Sequence, residues 1–203
     1  MTVVFATPLG DGVELAMLEP WHAEQFLEAL ERSREHLSAT APAARSVFTL
    51  DHARRYLQSW ADAHASDTRH LFGIWLNGEL VGCCQLLQFD AGTGTCELGA
   101  WIAPEAEGRG LVTTACRQVI DWAIRVRGLS RVQWTNNPTN RRSRRVAWRL
   151  GMTREGVLRS VAVLNSPSMD FVDAGTRWDG EVWSVIASEW PTKPPTGEIH
   201  DPV

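Results

Sequence analysis

The chain predicts an α/β fold: one mixed, twisted sheet with helices on both faces. Three stretches carry that expectation. The first is a pair of apolar runs, Leu71-Phe72-Gly73-Ile74-Trp75-Leu76 and Leu80-Val81-Gly82-Cys83-Cys84, around Asn77-Gly78. Asn-Gly favours a two-residue hairpin turn, because both positions need positive φ. The second, Glu97 to Ala115, reads ELGAWIAPEAEGRGLVTTA: a strand, a glycine turn and a helix start. The third is Asn140 to Gly151, a helix with an asparagine cap at one end and a glycine stop at the other.

The remaining elements follow in order. Glu14 to Leu18 reads as a strand, and Pro20 opens a helix where its missing N–H costs least. Phe26, Leu27, Leu30 and Leu37 give that helix an apolar side. Residues 38–46, SATAPAARS, read as a small-residue loop. Thr49 is positioned to cap a second helix bearing Ala53, Tyr56, Leu57, Trp60 and His64 at helical spacing. The hairpin's second strand continues towards Phe89, and Gly92-Thr93-Gly94 turns it into the strand Cys96 to Ile102. Pro104 ends that strand, since proline cannot donate to a ladder.

A helix should then run from near Thr113 to about Arg127, stopped by Gly128, with a strand from Arg131 to Asn136 behind it. Val157 to Leu164 and Glu181 to Ile186 read as the last strands, with Asp179-Gly180 a turn between or near them. The stretch from Pro191 is proline-rich and reads as a loosely held tail. One domain over 1–203 is expected, with its core at about 13–190 and the tail at 191–203.

Composition narrows the class. Over 203 residues, 44% are hydrophobic and 22% charged, which fits a water-soluble globular protein. No apolar run reaches membrane-span length, and Met1-Thr2-Val3-Val4 lacks the basic start of a signal peptide. A cytoplasmic protein with no membrane partner is expected. The net charge of −4, and the lack of aromatics between Arg141, Arg142, Arg144 and Arg145, argue against nucleic acid. None of Cys83, Cys84, Cys96 and Cys116 forms a CxxC pair, so buried reduced thiols are expected and no metal. Ten tryptophans stand against one tyrosine; most should be core, and some could line a cleft.

The glycine turn points to chemistry. Its glycines let the backbone approach a ligand, and the N–H groups of the first helical turn aim at it, which makes an anion site. It is not a Walker loop, for no Gly-Lys-Ser/Thr follows. Nor is it a dinucleotide fingerprint, because Thr113 stands at the third glycine. The stretch Glu107-Gly108-Arg109-Gly110-Leu111-Val112 resembles the acetyl-CoA loop of the GNAT acyltransferases, Gln/Arg-x-x-Gly-x-Gly/Ala. It departs at Glu107, where Gln or Arg is usual, and at Val112, where a small residue is usual. An acid beside a pyrophosphate is unhelpful, so Glu107 is expected to point to solvent.

A second motif sharpens the likeness. Asn140 to Met152, followed by Arg154-Glu155-Gly156-Val157-Leu158-Arg159, is similar to the NxxSxxvxekxGFxxeGxxR signature of the RimJ/RimL-type branch. Asp179, Trp183-Ser184 and Glu189-Trp190 resemble that branch's closing RDxxxYSxxxxEW segment, with Trp183 in place of Tyr. The resemblance covers about residues 13–190. It implies the GNAT fold, acetyl-CoA as cosubstrate without a metal, and acetyl transfer to a primary amine in a ternary complex.

By the same resemblance, cosubstrate contacts fall to Trp101, Ile102, Gly108, Arg109, Gly110, Leu111, Val112, Thr113, Asn136, Asn140 and Arg145. Glu97 becomes the candidate base, directly or through water, against the plainer reading of a strand-edge carboxylate paired with an arginine. Ser143 takes the place of the tyrosine that many GNAT enzymes use to support the leaving thiolate; a hydroxyl can donate to sulfur without ionising. Two other readings stand beside this: an enzyme for an antibiotic or metabolite amine, and a silent acyl-CoA-binding sensor. The acceptor is a peptide N-terminus or a small amine. His36 to Pro42 lacks the Trp-rich segment frequent in the branch, which counts against a ribosomal protein. The assembly is open, a homodimer being one option.

Overall fold

The computed structural model describes residues 6–38, 41–162 and 177–190. Strands Ala6–Gly10 (β1) and Val13–Met17 (β2) precede helices Ala23–Leu37 (α1), Pro42–Ser46 (α2) and Leu50–Ala65 (α3). The meander follows as His70–Leu76 (β3), Glu79–Asp90 (β4) and Thr95–Ile102 (β5). Helix Leu111–Asp121 (α4), strand Arg131–Asn136 (β6) and helix Arg141–Arg149 (α5) lead to the strands Thr153–Ala162 (β7) and Arg177–Ile186 (β8).

The strands make one sheet in the order β1-β2-β3-β4-β5-β6-β8-β7. Only β5 and β6 run parallel; every other neighbouring pair is antiparallel. Helices cover both faces, as the element order predicts. On one face Phe26, Leu30, Leu57 and Trp60 pack with Leu71 and Cys83 under α1–α3. On the other, Val119, Ile120, Ala147 and Leu150 pack with Leu86, Leu98 and Val132 under α4 and α5. All four cysteines are buried and reduced. No described helix is long and apolar enough to cross a membrane.

Local signals placed most elements. Asn77 (φ 52°) and Gly78 (φ 86°) make the β3–β4 turn. Thr49 accepts from the His52 N–H and caps α3, and Asn140 accepts from the Ser143 N–H and caps α5. Four expectations are corrected. An additional strand, β1, precedes β2 at the sheet edge, where Pro8 is tolerated because no further strand needs its N–H. The small-residue stretch contains α2, started by Pro42 in its first turn. Helix α4 begins at Leu111, not near Thr113, with Gly110 (φ 77°) as its cap.

The fourth correction is Asp179-Gly180, which lies inside β8 rather than in a turn. The Asp179 carboxylate accepts from the Ser160 N–H at a β7 bulge, and Gly180 leaves room for Val161 and Thr135. Of the expected strand 157–164, residues 163 and 164 fall outside the described residues, as does the stretch from Pro191.

Gly82, opposite Ile102, lets β4 and β5 close against each other. A Cβ there would lie 2.5 Å from the Trp101 carbonyl oxygen. Backbone cannot yield as a side-chain tip can, so Gly82→Ala should destabilise the fold by about 1–3 kcal/mol. A lowered urea midpoint with an unchanged m-value is the expected observation; an unshifted midpoint would show that β5 can move away.

Candidate active site

The site is built on a place where the sheet opens. Strands β5 and β6 pair only from Thr95↔Arg131 to Glu97↔Gln133. Beyond that, β5 continues to Ile102 while bonded to β4, and β6 continues to Asn136 while bonded to β8. Each strand is satisfied on its far side, so the two diverge and leave facing backbone edges between them. Such edges keep N–H and C=O groups for a ligand that lies along the strand.

At the wide end of this wedge sits the glycine turn. Gly108 (φ 75°) and Gly110 (φ 77°) hold left-handed backbone, and an added Cβ on either would meet nothing within 4 Å. The first amide of α4 with a helical acceptor is Thr114, bonded to the Gly110 carbonyl. The N–H groups of Leu111, Val112 and Thr113 therefore emerge from the helix start beside an open cradle. Arg109 is exposed on the same turn. Glu107 departs from expectation: its carboxylate does not point to solvent but meets Arg142 Nη1 and His36 Nε2, each at 2.9 Å. The Arg142 guanidinium offsets the acid's charge, and the two contacts tie the turn to α1 and α5.

Glu97 lies where the pairing ends, 6% exposed, on the α1–α3 face with Gln133 and Thr135. Burial pushes its carboxyl above the usual range, and hydrogen bonds from Thr135 and Gln133 oppose that shift only in part. The arginine nearest in sequence register, Arg131, is taken by Glu155 through two 2.6 Å bonds, so Glu97 is not the strand-edge ion pair of the plainer reading. Glu155 is correspondingly held down at about 2 by Arg131 and Ser184.

Ser143 stands on the opposite face, in the first turn of α5. Its Oγ accepts from the Trp134 indole N–H at 2.8 Å. Behind it, the Glu181 carboxylate is buried at the point where β8 faces the end of β6. It accepts from Arg154 Nε (2.5 Å), Trp183 Nε1 (3.0 Å) and Asn136 Nδ2 (3.4 Å), with Arg144 Nε 3.0 Å away. Burial pushes Glu181 up, but these donors outweigh it and hold the carboxyl below its ordinary value. Asn136, 5% exposed, spends its Nδ2 on Glu181 and on the Asn137 carbonyl, and leaves Oδ1 buried with no partner. Both neighbours of Nδ2 are obligate acceptors, which fixes the amide orientation.

The sequence-expected residues thus divide. Gly108, Arg109, Gly110, Leu111, Val112 and Thr113 gather at the turn; Asn136, Asn140 and Ser143 gather at the α5 side. Ile102 packs with the α4 core, whereas the Trp101 side chain turns to the other face and joins Phe26 and the Tyr56 pocket. Arg145 is exposed on α5, one turn beyond Arg141. Sequence reasoning missed Trp134, Glu181 and the amide of Gln85, which lines a small uncharged pocket with Tyr56, Pro42 and Trp101. Alternation along β6 could have flagged Trp134 as inward-facing; nothing local marks Glu181. No group of three metal-ligating side chains occurs among the described residues.

The sheet thus brings an open glycine turn at a helix start, a buried carboxylate and a hydroxyl together around one wedge. The chain belongs to the acetyltransferase (GNAT) domain family, whose model matches residues 13–153. YdaF of Bacillus subtilis, which carries a provisional name as a ribosomal N-acetyltransferase, is 29% identical over 182 residues, covering 88% of this chain and all of that protein. The ribosomal-protein-serine acetyltransferase of Escherichia coli is 22% identical over 157 residues, 77% of this chain and 88% of its own. Among solved structures, the RimL ribosomal L7/L12 α-N-protein acetyltransferase bound to coenzyme A superposes with a TM-score of 0.80 at 17% identity, over 90% of this chain and 98% of that one.

Glu97 also sets a stability expectation. The folded chain holds its proton more tightly than the unfolded chain, so stability falls as pH rises from the ordinary carboxyl value to the raised one, and stays reduced above it. Glu97→Gln carries no such cost. It should melt above the wild type at neutral pH, with the gap closing in acid below the ordinary carboxyl range; equal melting points at neutral pH would contradict the burial assigned to this carboxyl.

Proposed function

We propose that this protein transfers an acetyl group from acetyl-CoA to a primary amine, most simply the α-amine of a protein N-terminus, by direct attack within a ternary complex. The observation that carries the reading is the placement of Glu97 and Ser143 on opposite faces of one wedge. The names of the relatives, which include ribosomal N-acetyltransferases, support a peptide acceptor.

The residues fit the cosubstrate's parts. The cradle at Gly108 and Gly110, with the first amides of α4, suits a pyrophosphate, while Arg109 and Arg145 supply positive charge nearby. The open edges of β5 and β6 suit an extended amide-bearing arm, and the unpartnered Asn136 Oδ1 offers an acceptor for an N–H. Ile102 and Val112 line the α4 side and Asn140 holds the start of α5.

The chemistry then divides between the faces. The amine enters from the α1–α3 side, where the uncharged pocket of Tyr56, Gln85 and Trp101 lies on the same sheet face as Glu97. An α-amine with pKa near 7.8 is neutral in about one molecule in seven at neutral pH, so a modest base suffices. Nitrogen attacks the thioester carbon and its proton passes to the Glu97 carboxylate. The C–S bond then breaks, its electron pair goes to sulfur, and the Ser143 hydroxyl donates a hydrogen bond to the developing thiolate while keeping its own proton. Glu97 returns its proton to water and the free thiol is completed from solvent, which balances the step. Its raised pKa makes Glu97 a stronger base than an exposed carboxylate.

Two tests follow. Gly110→Asp places a side chain and a negative charge in the cradle, at a φ that aspartate tolerates, and should weaken acetyl-CoA binding by at least about tenfold. Unchanged affinity by calorimetry, in a variant folded by circular dichroism, would remove the turn from the site. Ser143→Ala should lower kcat at or below the low end of general-acid effects, about 10²-fold, because a thiol leaves more easily than an alkoxide. Acetyl-CoA affinity should hold. Tyr56→Phe should leave kcat near wild type, since Tyr56 stacks on Phe26 on the face away from Ser143. The reverse pattern in a free-thiol release assay would reassign the leaving-group donor.

A further inference from the structure

We propose that Trp134 is a positioning residue that aims the Ser143 hydroxyl at the thioester sulfur; this rests on the role given to Ser143 above. A serine hydroxyl has one hydrogen to donate and lone pairs to accept with, and it rotates to suit its neighbours. An indole N–H can only donate. The 2.8 Å contact between Trp134 Nε1 and Ser143 Oγ therefore has one direction: the serine oxygen accepts, and its hydrogen is turned elsewhere. Among the described residues that hydrogen has no acceptor, and the backbone amide of Ser143 is already committed to the Asn140 cap. The hydroxyl is thus held with its oxygen anchored by the indole and its own hydrogen left to donate.

The donor is well fixed. Trp134 is 4% exposed, belongs to the core under α4 and α5, and sits opposite Trp183 in the β6–β8 ladder. Trp183 donates in turn to Glu181, so two neighbouring indoles on one face each hold a group at the site. Accepting a hydrogen bond polarises a hydroxyl and makes it a better donor. The effect matters most when charge builds on sulfur, so it belongs to kcat rather than to cosubstrate binding.

The test is a double-mutant cycle on the full chain. Trp134→Phe keeps an aromatic ring and removes the N–H; kcat should fall about fivefold, with acetyl-CoA affinity held. In the Ser143→Ala background the same change should cost nothing further, and in the single variant the loss should shrink with thioesters of more acidic thiols. Losses that multiply in the double variant would overturn the proposal and make Trp134 a packing residue. A wild-type kcat for Trp134→Phe beside an impaired Ser143→Ala overturns the proposal alone, whereas a wild-type Ser143→Ala overturns the reading of Ser143 and the proposal with it. Should Phe not fold at this position, Trp134→Leu lacks the same donor and carries the cycle through.

Discussion

The parallel pairing between β5 and β6 stops at Glu97 and Gln133, and the site depends on that stop. Were the ladder to continue, the backbone edges of Leu98 to Ile102 and Trp134 to Asn136 would satisfy each other and no cleft would exist. The divergence is affordable because each strand keeps a full partner outside, β4 for one and β8 for the other. The eight-stranded sheet therefore divides into two leaves joined by a short parallel seam. Glu97 sits at the vertex, shielded by the strands, with its carboxyl on the α1–α3 face.

Charge is arranged to support the same opening. Glu107 on the glycine turn is paired with Arg142 and contacts His36, and so joins the turn to α5 and α1. Glu181 is held in a similar way where β8 faces the end of β6: donors from Arg154, Trp183 and Asn136 converge on it and Arg144 lies close by. Exposed pairs contribute little to stability, but a buried carboxylate with several donors fixes geometry, since removing any partner leaves a costly unpaired group.

Most of the fold was legible because its signals are local. Asn77-Gly78, the Thr49 and Asn140 caps and the alternation from Arg131 to Asn136 each need only a few neighbouring residues. What was missed depends on distant partners. Strand β1 carries Pro8, and only its position at the sheet edge makes that proline acceptable. Asp179-Gly180 carries a turn composition, yet the bulge at Ser160 recruits its carboxylate into the sheet. The candidate site divides likewise: the glycine turn and Ser143 are marked by motif, whereas Trp134 and Glu181 acquire meaning only once α5 and β8 are in place.

The position of β8 has a consequence for how the protein acquires its site. It lies between β6 and β7, so the chain lays down β6, sets β7 aside and then threads the last described strand between them. Until that insertion, Asn136 and Arg154 lack the Glu181 carboxylate to which they donate. These contacts span long stretches of sequence, and such contacts form late because chain entropy must be overcome first. Completion of the sheet and burial of the Glu181 carboxylate among its donors are thus one event.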